Sequence, residues 1–188
     1  EVLDEAFAAI DKAKANIERN LTNVRELFQS RLNDIFSNPS EDWEVKPLGE
    51  VCDINSGSTP KRNQKDFWEE GDVPWFTVKD IREQGREIRW TLESVTQKAL
   101  DETSLNVVPE GSVLLCCTAS VGEYALTQIP TTFNQQFNGL TPSKSVAPRF
   151  LMFWCSTLKK ELLSLSGKAT VDFVSQTKLK NIRIPIPP

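Results

Sequence analysis

Two short stretches carry the side chains best suited to a polar, anionic ligand. Ser56-Gly57-Ser58-Thr59-Pro60-Lys61-Arg62 crowds hydroxyls and cations onto a loop stiffened by proline. Such a loop suits contacts to phosphate oxygens and to base edges in a nucleic-acid groove. A plain polar turn draws on the same residue types. Asn134-Gln135, inside TTFNQQF at 131–137, offers two neighbouring amides. Asn and Gln pair in bidentate fashion with an adenine edge, and they equally stabilise turns by bonding to nearby backbone.

Other chemistries lack parts. The 188 residues include no His, which removes Ser-His-Asp triads, Cys-His pairs and imidazole metal ligands together. The eight Gly never form a phosphate-gripping or dinucleotide loop. Asn38-Pro39-Ser40 lacks the aromatic that completes an adenine-methyltransferase motif. Glu44-Val45-Lys46 has the acid-x-Lys spacing of many nucleases, but chance placement of 26 acidic residues and 13 Lys predicts nearly two such triplets, and the chain has one. It reads as a solvated strand edge. Glu69-Glu70 and Asp101-Glu102 are charge runs, because sequence neighbours rarely face one reacting atom.

Cys52, Cys116, Cys117 and Cys155 show no C-x-x-C spacing, so neither a zinc knuckle nor a redox pair is expected. Cys116 and Cys117 lie in the apolar run VLLCC and read as buried strand residues. Reduced structural thiols suit a cytoplasmic protein. That run is far short of the roughly 18 residues a membrane span needs, and no leader opens the chain. The only Met is Met152, so the sequence is expected to be a processed chain or a fragment.

Net charge is −4, mildly against a nucleic-acid partner, but it is unevenly spread. Residues 41–141 hold 9 basic and 17 acidic residues, whereas residues 142–188 hold 8 and 2. The basic tail is hidden in the total.

The elements that must position these side chains divide in two. Residues 1–36 contain no Gly or Pro, and a 3.5-residue spacing marks Leu3, Phe7, Ile10, Ile17, Leu21, Val24, Phe28 and Ile35, with Lys14 and Arg31 the exceptions. This spacing predicts one helix of about 54 Å, patterned as a coiled-coil strand and stopped by Asn38-Pro39. A globule of 148 residues spans only about 35 Å. The seam therefore calls for a second helix, from another chain or a missing segment. The expected domains are 1–38, a long spacer helix, and 41–188, a globule. The fold class is α+β: a coiled-coil-type helix followed by a mixed α/β domain with a twisted sheet.

Within the globule, strands are expected at 73–78, 113–118 and 182–186, and a short helix at 96–102. A longer helix should begin at Pro148, with Leu151, Trp154, Leu158, Leu162 and Leu165 on one face and Gly167 as its cap. Polar connections are expected through 55–72, 82–94 and 166–176. Trp43, Trp68 and Trp75 are expected in the core.

Taken in order, LGEV (48–51), SGSTPKR (56–62), Trp68, GDVPWF (71–76), EGSVLL (110–115), SVG (120–122), TTFNQQF (131–137) and IRIPIPP (182–188) resemble a target-recognition domain. The family is that of the specificity subunits of type I restriction-modification enzymes. The resemblance implies a subunit with two recognition domains and two antiparallel helices, each domain reading one half of a split double-stranded DNA site. It implies a non-catalytic chain that needs no cofactor. Adenine methylation with S-adenosylmethionine would belong to modification subunits, and ATP-driven translocation and cleavage to a restriction subunit. This chain resembles one helix and the domain after it, and the resemblance implies that a next helix would follow the terminal prolines.

Recognition loops vary with the DNA word read, so the expected DNA contacts rest on residue type. They are Ser58, Thr59, Lys61 and Arg62; Lys79 and Arg82; Thr118 and Ser120; Asn134 and Gln135; and, in the basic tail, Lys168, Gln176, Lys178 and Lys180. Partners expected from the resemblance are DNA and the modification and restriction subunits, with a helix-mediated homodimer of this fragment as a further possibility. Two other classes fit the residues: a protein-protein adaptor docking through its helix, and an enzyme using Cys or carboxylates without His.

Overall fold

A computed structural model describes residues 2–166 and 173–188. It resolves into two compact units, residues 1–39 and 40–188. The first is a single helix, α1 (Val2–Ser37). Asp4 and Glu5 in its first turn complement the positive end of the helix dipole. At its end the Asn38 amide donates to the Asp34 carbonyl at 2.9 Å, and Pro39 lets the ladder go no further. A lone helix has no interior, so the apolar seam lies open: Phe7, Ile17 and Val24 are 62%, 60% and 64% exposed.

Among the described residues the second unit is built on three sheets. Its elements are β1 (Glu44–Pro47), α2 (Leu48–Val51), β2 (Cys52–Ser56), β3 (Val73–Phe76), α3 (Val78–Gln84), β4 (Glu87–Ile88), β5 (Glu93–Val95), α4 (Gln97–Glu102), β6 (Val113–Cys116), β7 (Tyr124–Thr127), β8 (Thr132–Phe133), β9 (Phe137–Pro142), α5 (Pro148–Cys155), α6 (Lys159–Ser166), α7 (Gln176–Lys180) and β10 (Arg183–Ile186). A five-stranded sheet runs β2-β9-β6-β7-β4, a three-stranded sheet β5-β3-β8, and β1 pairs with β10. All pairs are antiparallel except β3 with β8 and β4 with β7.

Strand β6 is buried at every position, as a continuous apolar run should be. Its Leu114 and Cys116 pack with Phe76, Phe133 and Phe137 in the main core, while Phe67, Trp75, Val95 and Ala99 form a second cluster. Gly139, opposite Leu114, must lack a Cβ: one would lie 2.7 Å from Val108 and 2.8 Å from the Phe133 ring. All four thiols are free and buried. Burial pushes Cys52 and Cys117 up to about 12 and raises Cys116 and Cys155 as well. Among the described residues no helix is long and apolar enough to cross a membrane.

Several elements differ from the sequence reading for local reasons. The strand expected through 78 stops at Phe76, because Thr77 caps α3. The Thr77 amide donates to the buried Asp80 carboxylate at 2.7 Å, and the Leu92 amide donates to the other oxygen at 2.7 Å. The helix expected from Pro148 to 165 is two helices. The hydroxyls of Ser156 and Thr157 donate to the carbonyls of Phe153 and Trp154 at 2.5 and 2.8 Å, competing with the backbone ladder. The apolar face survives the break: Leu151, Trp154, Leu158 and Leu162 are all buried. Gly167 lies outside the described residues. Trp75 is core, whereas Trp68 and Trp43 are half-buried, Trp68 edge-on to Trp75 at 5.0 Å and Trp43 tilted against Phe150 at 6.1 Å. The Glu44–Lys46 pair, 2.8 Å apart, lies on the two-stranded sheet.

Candidate nucleic-acid interface

The site is organised by the turn between β8 and β9. Strand β8 pairs with β3, and β9 pairs with β2 and β6, so residues 134–136 cross between two sheets. The Asn134 carboxamide builds the turn: its oxygen accepts from the Gln136 amide at 3.1 Å, and its nitrogen donates to the Gln136 side chain at 3.2 Å. Gln135 is left exposed.

Three segments are bonded to this turn. The Gly57 and Ser58 amides donate to the carbonyls of Phe137 and Phe133 at 3.1 and 3.0 Å, and Thr59 hydrogen-bonds Gln135 side chain to side chain. Gly57 is required for the close approach, since a Cβ there would lie 2.2 Å from the Asn134 carbonyl. The Asn134 amide donates to the Phe76 carbonyl at 3.1 Å, which places the start of α3, with exposed Lys79, beside the turn, while exposed Arg82 lies in the last turn of that helix. The Cys117 amide donates to the Gln136 carbonyl at 2.9 Å, bringing in Thr118 and Ser120. The 118–122 turn is tight: Ala119 and Gly122 have φ of 63° and 86°.

The 57–62 loop is clamped from below by two indoles. Trp75 Nε1 donates to the Ser58 carbonyl at 3.2 Å, and Trp68 Nε1 donates to the Lys61 carbonyl at 3.1 Å. The Arg62 guanidinium lies 3.8 Å from the Trp68 ring centre and 4.5 Å from that of Trp75, and pairs with Glu93. Arg62 is thus engaged with its own domain. Thr59 and Lys61 remain exposed. Among the described residues no carboxylate pairs with Lys61, Lys79 or Arg82.

The tail behaves differently. Gln176 donates to the Ile54 carbonyl at 2.7 Å, Lys178 donates to the Leu165 carbonyl at 2.7 Å, and the stem of Lys180 packs against Gly49. Lys168 lies outside the described residues. Nine of the fourteen expected contacts thus sit on or beside one turn: Ser58, Thr59, Lys61, Arg62, Lys79, Thr118, Ser120, Asn134 and Gln135; Arg82 lies further along α3. Three belong to α7. Sequence reasoning missed the clamp of Trp68, Trp75 and Glu93, whose only signal was two tryptophans just after the loop. It also missed Phe173, 54% exposed and bridged to Thr118.

The chain is thus a long helix followed by a mixed domain whose loops gather hydroxyls, amides and cations around one turn. Residues 40–188 match the family described as type I restriction modification DNA specificity domain, and the chain belongs to that family. It is 33% identical over 150 residues to the type I restriction enzyme MjaIX specificity subunit of Methanocaldococcus jannaschii, covering 78% of this chain and 34% of that one. It is also 33% identical over 150 residues to the EcoprrI specificity subunit of Escherichia coli, covering 76% and 36%. The fold is similar to the crystal structure of the HsdS subunit from Thermoanaerobacter tengcongensis, with a TM-score of 0.69 at 22% identity over 95% of this chain and 43% of that one. The chain spans about a third of the length of these curated relatives.

Proposed function

We propose that residues 41–188 read one half of a bipartite double-stranded DNA site within a type I restriction-modification enzyme, and that residues 1–38 form the spacer helix. The observation that carries this is the β8–β9 turn, which holds Thr59, Gln135 and the start of α3 together, with Ser120 in the neighbouring turn, as a surface of base-reading and phosphate-binding groups. The chain itself is non-catalytic and uses no cofactor. It acts in the cytoplasm and docks modification and restriction subunits that carry methylation and cleavage. Selection from a randomised duplex library tests the reading. One short word should be enriched, with binding that weakens steeply as salt rises. No enrichment together with salt-independent binding would leave a protein-docking adaptor as the function.

The exposed seam of α1 supports helix pairing, between two copies when this chain is alone. Sedimentation velocity should show a dimer that Ile17→Glu, Leu21→Glu and Val24→Glu together convert to monomer. A monomer in both cases would rule the pairing out.

A further inference from the structure

A cleft of about 410 Å³ opens between α3, the 118–122 turn and α6, and its polar rim is formed by Arg82, Ser120, Glu123 and Lys159. Its one carboxylate is already matched. Glu123 pairs with Arg86 at 2.6 Å, and Arg86 also donates to the Tyr124 carbonyl at 2.9 Å and lies 4.3 Å from the Tyr124 ring centre. Among the described residues Arg82 and Lys159 have no such partner, so the cleft presents two unmatched cations and a hydroxyl. The stem of exposed Lys159 lies close against the 118–122 turn. Gly122, at φ +86°, has no Cβ, and one built there would lie 2.9 Å from the Lys159 stem. The apolar walls, Val78 and Leu163, suit the face of a sugar.

We infer that this cleft binds one backbone phosphodiester of the DNA, with Lys159 and Arg82 on the phosphate oxygens, Ser120 as an added donor and the deoxyribose against Val78 and Leu163. The inference rests on the DNA-reading function proposed above and adds a phosphate anchor beside the base-reading turn. Continuity places it there: the Cys117 amide bonded to the Gln136 carbonyl joins the rim of the cleft to that turn. The contact carries no sequence information, because every nucleotide offers the same phosphate, and it serves to set register.

The test uses the 188-residue chain and its selected duplex. Releasing the counterions of one phosphate is worth a slope of about 0.9 in log affinity against log salt. Lys159→Ala should flatten the slope by up to that amount and cost about eightfold in affinity at 0.1 M salt, equally for the selected and a scrambled duplex. Lys144→Ala removes an exposed charge outside the cleft and should change little. Methylphosphonate scanning should find one position where neutralising the phosphate weakens the unvaried chain but costs the Lys159→Ala chain nothing further. An unchanged slope in Lys159→Ala, an equal change in Lys144→Ala, or additive losses at every methylphosphonate position would each overturn the anchor while leaving DNA reading intact. No binding by the unvaried chain would remove both.

Discussion

The 57–62 loop and helix α7 both carry hydroxyls and cations, and they fasten themselves to the domain in opposite ways. In the loop the backbone does the anchoring. Gly57 and Ser58 donate from their amides, and Ser58 and Lys61 accept through their carbonyls, so the Thr59 and Lys61 side chains stay outward. In α7 the side chains anchor: Gln176 and Lys178 each donate to a carbonyl of another element. A polar residue is available for recognition when something else satisfies the backbone that holds it. A cluster of basic or amide residues identifies candidates, and the partners of the nearby backbone separate presenters from fasteners.

This contrast can be broken at several points. Gly57→Ala has the largest expected effect, because its Cβ would meet backbone and the Phe133 ring at 2.2–2.6 Å. Overpacking of this kind costs about 3 kcal/mol, and chemical denaturation should show that loss together with loss of sequence preference. An alanine variant of normal stability and selectivity would mean that the loop does not depend on this approach.

Cys117 is where the two regions meet, since its amide reaches Gln136 and its carbonyl accepts from Val174. Its thiol and that of Cys52 are held protonated up to about 12. The unfolded chain ionises its thiols near pH 8.5, so the folded state binds more protons above that point. Stability is fully present below about pH 8.5 and falls as pH rises towards 12, by about 1.4 kcal/mol per unit for each thiol. Denaturation midpoints followed from pH 8 to 11 should decline accordingly, and the thiols should resist a disulfide reagent until the chain unfolds. A flat profile would show that the thiols ionise freely in the fold.

Arg62→Ala should cost about 1–2 kcal/mol, since the two stacked rings contribute more than the half-exposed pair with Glu93. Its signature is a loss of preference among duplexes larger than the loss of overall affinity, because the loop is loosened. Arg62→Lys should restore part of the stability through the retained cation. Equal losses for all duplexes, with no change in stability, would instead make Arg62 a direct phosphate contact. The smallest effect is expected from Lys178→Met, about 1 kcal/mol of stability from one lost hydrogen bond, with the salt slope of DNA binding unchanged. A slope flattened by about 0.9 would show that the tail also reaches phosphate.

Much of the fold was legible residue by residue. Eight apolar positions at 3.5-residue spacing in a stretch without Gly or Pro dictate a long helix, and Pro39 dictates its end. VLLCC dictates a buried strand, and Pro148 opens a helix. The break at 156–158 was not legible, because apolar spacing ran straight through it and only two hydroxyls turned back onto the ladder. Thr77 looked like strand until the Asp80 carboxylate three residues later made it a cap.

For the site, the sequence alone settled which side chains are chemically able to meet DNA, because hydroxyls, amides and cations are properties of single residues. Tertiary structure decided which of them stand together. Thr59 and Gln135 are 76 residues apart and meet only because β8 joins β3 while β9 joins β2. Arg62 could not be separated from Lys61 by composition, and it is Trp68, Trp75 and Glu93 that engage one and leave the other exposed. Strand pairing fixes proximity through backbone hydrogen bonds that almost any residue can make, so it leaves little trace in the side chains it brings together.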